Sequence, residues 1–147
     1  MKTYPCHIIL TGASPGYRAR LKNILKMTAF QNEWPSPLID ETTDLLAFEQ
    51  EANKNTDIVM VDASIVAKHR KHLAHAWKKL KRACTFVLLF SDNEKGELEK
   101  VLFEMGRQNS LPLDVYILKD TYPDELIGRV LKRLVEQKNI EKNLAVV

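Results

Sequence analysis

Four apolar residues between two aspartates, from Asp57 to Asp62, constrain the fold of this chain more than any other segment. An uninterrupted apolar run of this length predicts a short strand covered on both faces, which is typical of parallel sheets flanked by helices. Asp62 then stands at the carboxyl end of that strand. Open α/β sheets place their ligands and their chemistry at this edge, so Asp62 is a candidate site residue.

Two later apolar runs also end in a polar residue. The run 85–90 stops at Ser91, and the run 115–118 stops at Lys119. If the three strands are neighbours in a parallel sheet, then a carboxylate, a hydroxyl and an amine meet at one edge. The sequence therefore predicts a polar site built from Asp62, Ser91 and Lys119.

Helical patterns alternate with the predicted strands. After a strand at 7–10, Ser14 suits the N-cap of a helix and Pro15 suits its first position. That helix carries an apolar stripe at the spacing of helical turns, which consists of Tyr17, Leu21, Ile24, Leu25 and Thr28. Weaker patterns predict a strand at 38–39 and helices near 43–52, 65–82, 91–105 and from Pro123 onward. Five strands alternating with five helices indicate a doubly wound α/β fold with a parallel sheet and helices on both faces.

Length and composition fit one soluble domain. A chain of 147 residues suits a single hydrophobic core, and a net charge of +3 does not by itself imply a nucleic-acid partner. Cys6 and Cys84 adjoin apolar runs, so we expect buried free thiols and a reducing compartment. No apolar run is long enough to cross a membrane, no signal peptide is evident, and we expect a cytoplasmic protein. The predicted domain covers 1–135, and 136–147 loses its periodicity, as a frayed tail or a linker would.

The order and spacing of these motifs resemble response-regulator receiver domains, and the similarity runs from about residue 7 to 135. The resemblance implies a flavodoxin-like five-stranded sheet in the order 2-1-3-4-5. It also implies that Asp62 matches the aspartate that accepts a phosphoryl group. Ser91 and Lys119 match the polar residues that end the fourth and fifth strands of the family. Tyr116 matches the aromatic residue whose rotation reports activation.

The departures from that family matter as much. Its first strand is followed by two acidic residues that hold Mg²⁺, and Gly12 and Ala13 stand at those positions here. Because Mg²⁺ needs several hard oxygen ligands, we expect its binding to be weak or absent, even if Asp92 lends a carboxylate to the pocket. The resemblance thus implies an atypical receiver, or pseudo-receiver, in which Asp62 and Lys119 form a standing ion pair. Phosphorylation of Asp62 is then doubtful, and we expect that this domain is not an enzyme.

The resemblance also implies the kind of partner. Receiver domains act in two-component signalling, so a histidine kinase or an output protein is the expected partner, and two copies of the chain can pair. The surface implied is the one formed by the fourth helix, the fifth strand and the fifth helix. Nucleic acid and membranes are not expected as partners.

Three other interpretations come from local patterns. The turn from Thr11 to Gly16 lies between a strand and a helix, which suits a Rossmann-like nucleotide or anion site, although Arg18 stands where the final glycine of that pattern belongs. Three histidines at 69, 72 and 75 suggest a metal site. On a helix, however, they spread over about 120°, so their side chains cannot meet at one ion. The segment 63–83 has no acidic residue, so it could contact a phosphate backbone, although aromatic residues for base stacking are missing.

Overall fold

A parallel five-stranded sheet forms the centre of the computed structural model, which describes residues 3–42, 56–66, 75, 84–97, 99–100, 103 and 115–146. Its strands, in chain order β1 to β5, are His7–Thr11, Leu38–Thr42, Ile58–Asp62, Thr85–Phe90 and Val115–Leu118. They are arranged in the order β2-β1-β3-β4-β5. Every neighbouring pair is parallel, so the predicted strand order 2-1-3-4-5 is confirmed.

In the described part of the chain, helices follow three of the strands, β1, β3 and β5. Helix α1 is Pro15–Gln31, the short helix α2 is Ala63–Val66 and the last helix α3 is Asp124–Val146. A single 3-10 turn, Asp92–Glu94, follows β4. The predicted helix at 43–52 and most of the predicted helices at 65–82 and 91–105 lie outside the described residues.

One face of the sheet packs against α1 and α3. Alternate strand residues contribute to this core, among them Ile8, Leu10, Ile58, Met60, Val87, Leu89 and Ile117. The two helices cover this face with buried apolar side chains: Leu21, Ile24 and Leu25 of α1, and Ile127, Leu131 and Val135 of α3. The apolar stripe predicted for α1 is confirmed, because Leu21, Ile24, Leu25 and Thr28 are buried and Tyr17 packs against the cluster.

The other side chains of the central strands are buried as well. Val59 and Val61 of β3 and Phe86 and Leu88 of β4 have no exposed surface. Two covered faces explain why β3 reads as a continuous apolar run and not as an alternating one. The edge strand β2 differs, since most of its residues are exposed and it carries Asp40 and Glu41 among its five residues.

The last helix is longer than the sequence predicts. The prediction of a frayed segment after residue 135 is wrong for 136–146, because α3 continues to Val146. Lys138 and Asn139 are buried there, and the side-chain oxygen of Asn139 accepts a hydrogen bond from the Tyr4 amide at 3.0 Å. The inner side of this part of the helix is held by polar contacts, so the sequence shows no apolar stripe that faces the core. Whether 136–147 also serves as a linker stays a prediction.

A second buried carboxylate lies at the amino end of β3. Asp57 Oδ2 accepts hydrogen bonds from the His7 amide at 2.8 Å and from Lys142 Nζ at 2.9 Å. The Asp57 side chain is only 7% exposed, so these partners replace water around its carboxylate. Cys6 and Cys84 lie nearby as free buried thiols, as predicted, and burial raises the pKa of each to about 12.

We therefore predict that Lys142→Met destabilises the protein by about 1–3 kcal/mol, since it leaves the buried Asp57 carboxylate with one charged partner fewer. Lys132→Met is the matched control on the same helix, where Lys132 is 46% exposed and 3.9 Å from Glu136. That change should cost less than about 0.5 kcal/mol. Urea denaturation measures both, and equal losses of stability would contradict the assignment of Lys142 as an anchor.

Candidate functional site

An ion pair between the ends of β3 and β5 forms the centre of the site at the carboxyl edge of the sheet. Asp62 ends β3 and is 3% exposed, while Lys119 directly follows β5. Lys119 Nζ lies 2.8 Å from Asp62 Oδ2, and the other carboxylate oxygen of Asp62 accepts the Ser64 amide at 2.9 Å. Both oxygens of Asp62 therefore have a hydrogen-bond donor from within the chain.

Ser91 joins this pair through Glu94. The Ser91 amide donates to Glu94 Oε1 at 2.9 Å, and its hydroxyl donates to the same oxygen at 2.8 Å. The hydroxyl also contacts the side-chain oxygen of Asn93. Lys119 Nζ lies 3.4 Å from Glu94 Oε1, so Ser91 reaches the lysine through a carboxylate. The structure thus brings Asp62, Ser91 and Lys119 to one edge, with Glu94 between the last two.

The charges of this cluster stabilise one another. Burial acts to lower the pKa of Lys119, but the hydrogen bond and negative charge of Asp62, with Glu94, outweigh it and raise the pKa above its ordinary value. Burial acts to raise the pKa of Glu94, yet its hydrogen bonds from Ser91 and the charge of Lys119 outweigh this and lower the pKa. Both groups are therefore charged at neutral pH.

Gly12 lies beside Asp62 in a conformation that disfavours a side chain. In the β1–β3 register Thr11 pairs with Val61, which places Gly12 next to Asp62. Gly12 has φ of +83°, and a Cβ atom there would come within 2.8 Å of Ile65 Cδ1. The neighbouring Ala13 is 7% exposed and contributes only a methyl group. The side chain of Ile65 therefore occupies the space into which a carboxylate at position 12 would have to extend.

Tyr17 adds a buried hydroxyl to this region. Its Oη atom is buried and has no hydrogen-bond partner in the structure as described. Burial raises the pKa of Tyr17 to about 12, and the negative charges of Asp62, Asp120 and Asp124 act in the same direction, against the opposing effect of Arg20. The hydroxyl therefore stays neutral and cannot add a charge to the site.

Arg20 fixes the loop that carries Lys119. From α1 it donates to the backbone oxygens of Lys119 at 3.4 Å and Tyr122 at 3.1 Å, and to Asp124 Oδ1 at 2.5 Å. These contacts tie α1 to the connection between β5 and α3. The position of the lysine is thus set by three elements, since the strand, the loop and the first helix all hold it.

Other predicted site residues lie close by without joining the pair. Asp92 accepts a hydrogen bond from Thr121 Oγ1 at 3.4 Å, and it is exposed. Its predicted contribution to the pocket remains a prediction. Tyr116 pairs with Leu88 in the β4–β5 register, but its side chain is not among the parts that the structure describes. His69 and His72 also lie outside the described residues.

Sequence reasoning did not assign Glu94, Ile65 or Arg20 to the site, although it predicted the capping box of Ser91 and Glu94, which the structure confirms. Glu94 has a local signal, because its spacing from Ser91 fits a capping box and Ser91 ends a strand. The role of Ile65 is hinted at only by the unusual residues that follow Asp62. Arg20 has no local signal, since its partners lie about a hundred residues further along the chain.

The alternative sites receive no support from the geometry. In the Thr11–Gly16 turn the Gly12 amide donates to the Thr42 carbonyl at 3.2 Å, so it is not available to a phosphate. In the part of the chain that the structure describes, no three His, Cys, Asp or Glu side chains are arranged to hold a metal ion. Among the same residues, no helix is both long and apolar enough to cross a membrane.

Comparisons with solved structures show which proteins share this architecture. A response regulator from Colwellia psychrerythraea superposes with a TM-score of 0.64 at 18% identity, covering 91% of this chain and 99% of that one. A receiver domain protein from Clostridium thermocellum gives 0.62 at 14% identity, with 95% and 98% covered. The fold is that of a response-regulator receiver domain.

The same fold also occurs in proteins of other kinds. A putative pilus assembly protein from Burkholderia thailandensis has a TM-score of 0.58 at 18% identity, covering 89% of this chain and 98% of that one. No protein-family model matches the sequence. No curated protein matches it by sequence either. The receiver likeness therefore concerns the fold, and the function has to be argued from the site.

We predict that Asp62→Ala lowers the free energy of unfolding by about 3–5 kcal/mol, because it leaves Lys119 without its closest counter-charge in a half-buried site. Asp92→Ala removes a carboxylate from the same edge that is exposed, so it should cost less than about 1 kcal/mol. Chemical denaturation of the two variants measures the difference. Comparable effects would show that the ion pair does not organise the site.

The pH dependence of stability provides a test of Glu94. A carboxyl group with a lowered folded-state pKa stabilises the protein above its unfolded pKa of about 4.3, and this contribution is lost as the pH falls through the folded pKa. Glu94→Gln should therefore cost about 1–2 kcal/mol at neutral pH, and the difference from the wild type should shrink below about pH 4.3. Glu97→Gln, an exposed change in the same segment, is the control.

The measurement is a series of denaturation curves for the three proteins between acidic and neutral pH. A difference between wild type and Glu94→Gln that stays constant across this range would contradict the contacts of Glu94 with Ser91 and Lys119.

Proposed function

We propose that this chain is an atypical receiver domain that acts in signalling by binding another protein, with Lys119 in permanent contact with its phosphoacceptor-like aspartate. The observation that supports this proposal most is the 2.8 Å ion pair between Lys119 Nζ and Asp62 Oδ2. It occurs in a chain with the receiver fold, at the strand end where that fold places its polar site.

The residues around Asp62 do not fit the magnesium ion of the receiver family. Phosphoryl transfer relies on a cation that neutralises the oxygens of the transferred group, and Mg²⁺ requires near-octahedral oxygen ligands. Gly12 and Ala13 offer no side-chain oxygen, and the space beside Gly12 is taken by Ile65. Of the three acidic positions that the resemblance implies, Asp62 alone carries a carboxylate, and both of its oxygens already accept hydrogen bonds.

A positive side chain already lies between the acidic groups of this pocket. The charge of Lys119 lies between the carboxylates of Asp62 and Glu94, where it offsets part of their negative charge without a divalent cation. Separating the buried pair would leave Asp62 as an uncompensated charge, which is costly. We infer that the domain has one stable arrangement of this edge, and that it does not switch by phosphorylation.

Such a domain would act through its surface. The side of α3 that faces away from the core exposes three large apolar side chains, Leu126, Ile140 and Leu144. Exposed apolar residues grouped on one side of a helix are typical of protein-binding surfaces. We propose that this helix, with the neighbouring β5 and the segment before it, binds a signalling protein such as a histidine kinase or an output protein, and that the domain is not an enzyme.

The decisive experiment is incubation of the purified protein with acetyl phosphate and Mg²⁺, followed by intact-protein mass spectrometry. We expect no added phosphate in the wild type and the same result for Asp62→Asn. A receiver domain that retains its acidic pair, treated in parallel, is the positive control for the reagent. Phosphate uptake by the wild type that requires Mg²⁺ and is lost in Asp62→Asn would contradict the proposal.

A further inference from the structure

A groove with a volume of about 580 Å³ lies between α1 and α3. Cavities of this size bind small organic molecules in other proteins. Its floor consists of Ile24 and Thr28, which are buried, and Gly128, which is half-buried. Asp62 and Lys119 do not line it, so the groove is separate from the site at the edge of the sheet.

Gly128 keeps the floor of this groove open. It lies inside α3, where a glycine is less favourable for the helix than an alanine. Packing does not require a glycine there, because a Cβ atom would lie 3.6 Å from Thr28 Oγ1 and 3.7 Å from Ile24 Cγ2, which are ordinary contact distances. A longer side chain at this position would extend into the groove. The glycine is therefore better explained by the open groove than by the approach of the two helices.

The α1 side of the groove adds an exposed apolar wall. Met27 lines the groove and is 61% exposed. Methionine side chains are flexible and adapt their shape to apolar ligands. Ile24, Met27 and Gly128 together form an apolar surface along the groove, which we call the groove strip.

The α3 side of the groove carries two exposed cations, Arg129 and Lys132. Lys132 Nζ lies 3.9 Å from Glu136 Oε1, which is longer than a hydrogen bond, so this pair is weak. In the part of the chain that the structure describes, Arg129 forms no ion pair. Both cations are therefore available to an anion.

The acidic residues of the groove do not cancel this charge. Asp124 lines the groove, but Arg20 Nε lies 2.5 Å from its Oδ1 atom and offsets its charge. Glu125 is the remaining carboxylate among the lining residues. Two cations thus face one acid, and the groove keeps a net positive charge.

We propose that this groove binds a small amphiphilic carboxylate, with its anionic end at Arg129 and Lys132 and its apolar chain on the groove strip. An apolar surface beside two cations is complementary to a molecule with one apolar and one anionic end. From Asp124 to Lys132 the α3 side of the groove is about 12 Å long. A medium-chain aliphatic carboxylate has a comparable length, so the ligand class is a medium-chain monocarboxylate.

This binding site goes beyond the proposed function and does not depend on it. A chain that binds no carboxylate would still lack phosphorylation at Asp62, and phosphate uptake at Asp62 would leave the groove unchanged. The two sites are nevertheless close. Arg20 lines the groove and donates to the backbone oxygen of Lys119 at 3.4 Å, so a molecule bound in the groove would adjoin a side chain that holds the Lys119 loop.

The first test is an NMR titration of the whole ¹⁵N-labelled chain with decanoate. We expect saturable shifts of the Met27, Gly128 and Arg129 amides, with a dissociation constant of about 0.1–1 mM. Decyltrimethylammonium has the same chain with the opposite charge, and it should bind at least about tenfold more weakly. Acetate, which has the anionic end alone, should cause no saturable shift in the same range.

The second test uses variants of α3. Gly128→Leu should abolish the decanoate shifts because its side chain fills the groove, and circular dichroism checks that it folds. Arg129→Gln should weaken decanoate binding by about tenfold, since it removes one of the two cations. Arg133→Gln is the matched control, because Arg133 is an exposed arginine of the same helix that does not line the groove, and it should bind like the wild type.

Several results would overturn the proposal. Equal affinity for decanoate and decyltrimethylammonium would show that the cations do not select the ligand. Decanoate shifts that persist in a folded Gly128→Leu variant would place the binding elsewhere. Shifts of the groove amides that grow with protein concentration alone would indicate a second copy of the chain as the occupant. A wild type without saturable shifts would exclude a medium-chain carboxylate.

Discussion

The ion pair between Asp62 and Lys119 is the interaction on which the site depends. It joins the ends of two strands that are not neighbours in the sheet, since β4 lies between β3 and β5. A lysine at this distance supplies a positive charge to the aspartate without any ion. The residues around it agree with this arrangement: Gly12 has no side chain, Ile65 covers it, and Arg20 holds the backbone of the lysine from α1.

The central strand β3 is flanked by two such pairs. Asp57 at its amino end contacts Lys142 of α3, and Asp62 at its carboxyl end contacts Lys119 after β5. Both lysines come from the last thirty residues of the chain, so the two pairs tie that part of the chain to the middle of the sheet. Removal of one partner from a buried pair costs more than the pair itself contributes, which is why both pairs favour a single arrangement.

Much of the fold and part of the site follow from local sequence signals. The strands, their order and the meeting of Asp62 with Lys119 could be predicted because polar residues end apolar runs, and because the spacing resembles a known family. The contacts of Ile65 with Gly12 could not, since they depend on a positive φ angle and on packing across 53 residues. The buried end of α3 was also missed, because Asn139 and Lys142 are held by polar partners that no apolar periodicity reveals.

Whether this site binds a cation is tested most directly by a magnesium titration followed by NMR. Backbone amide signals of Gly12, Asp62 and Lys119 would be recorded in ¹⁵N-labelled protein as Mg²⁺ is raised into the millimolar range. We expect no saturable shift at these positions, because Lys119 already forms an ion pair with the carboxylate of Asp62. A saturable shift confined to these residues, and abolished in Asp62→Asn, would show that the site binds the ion after all.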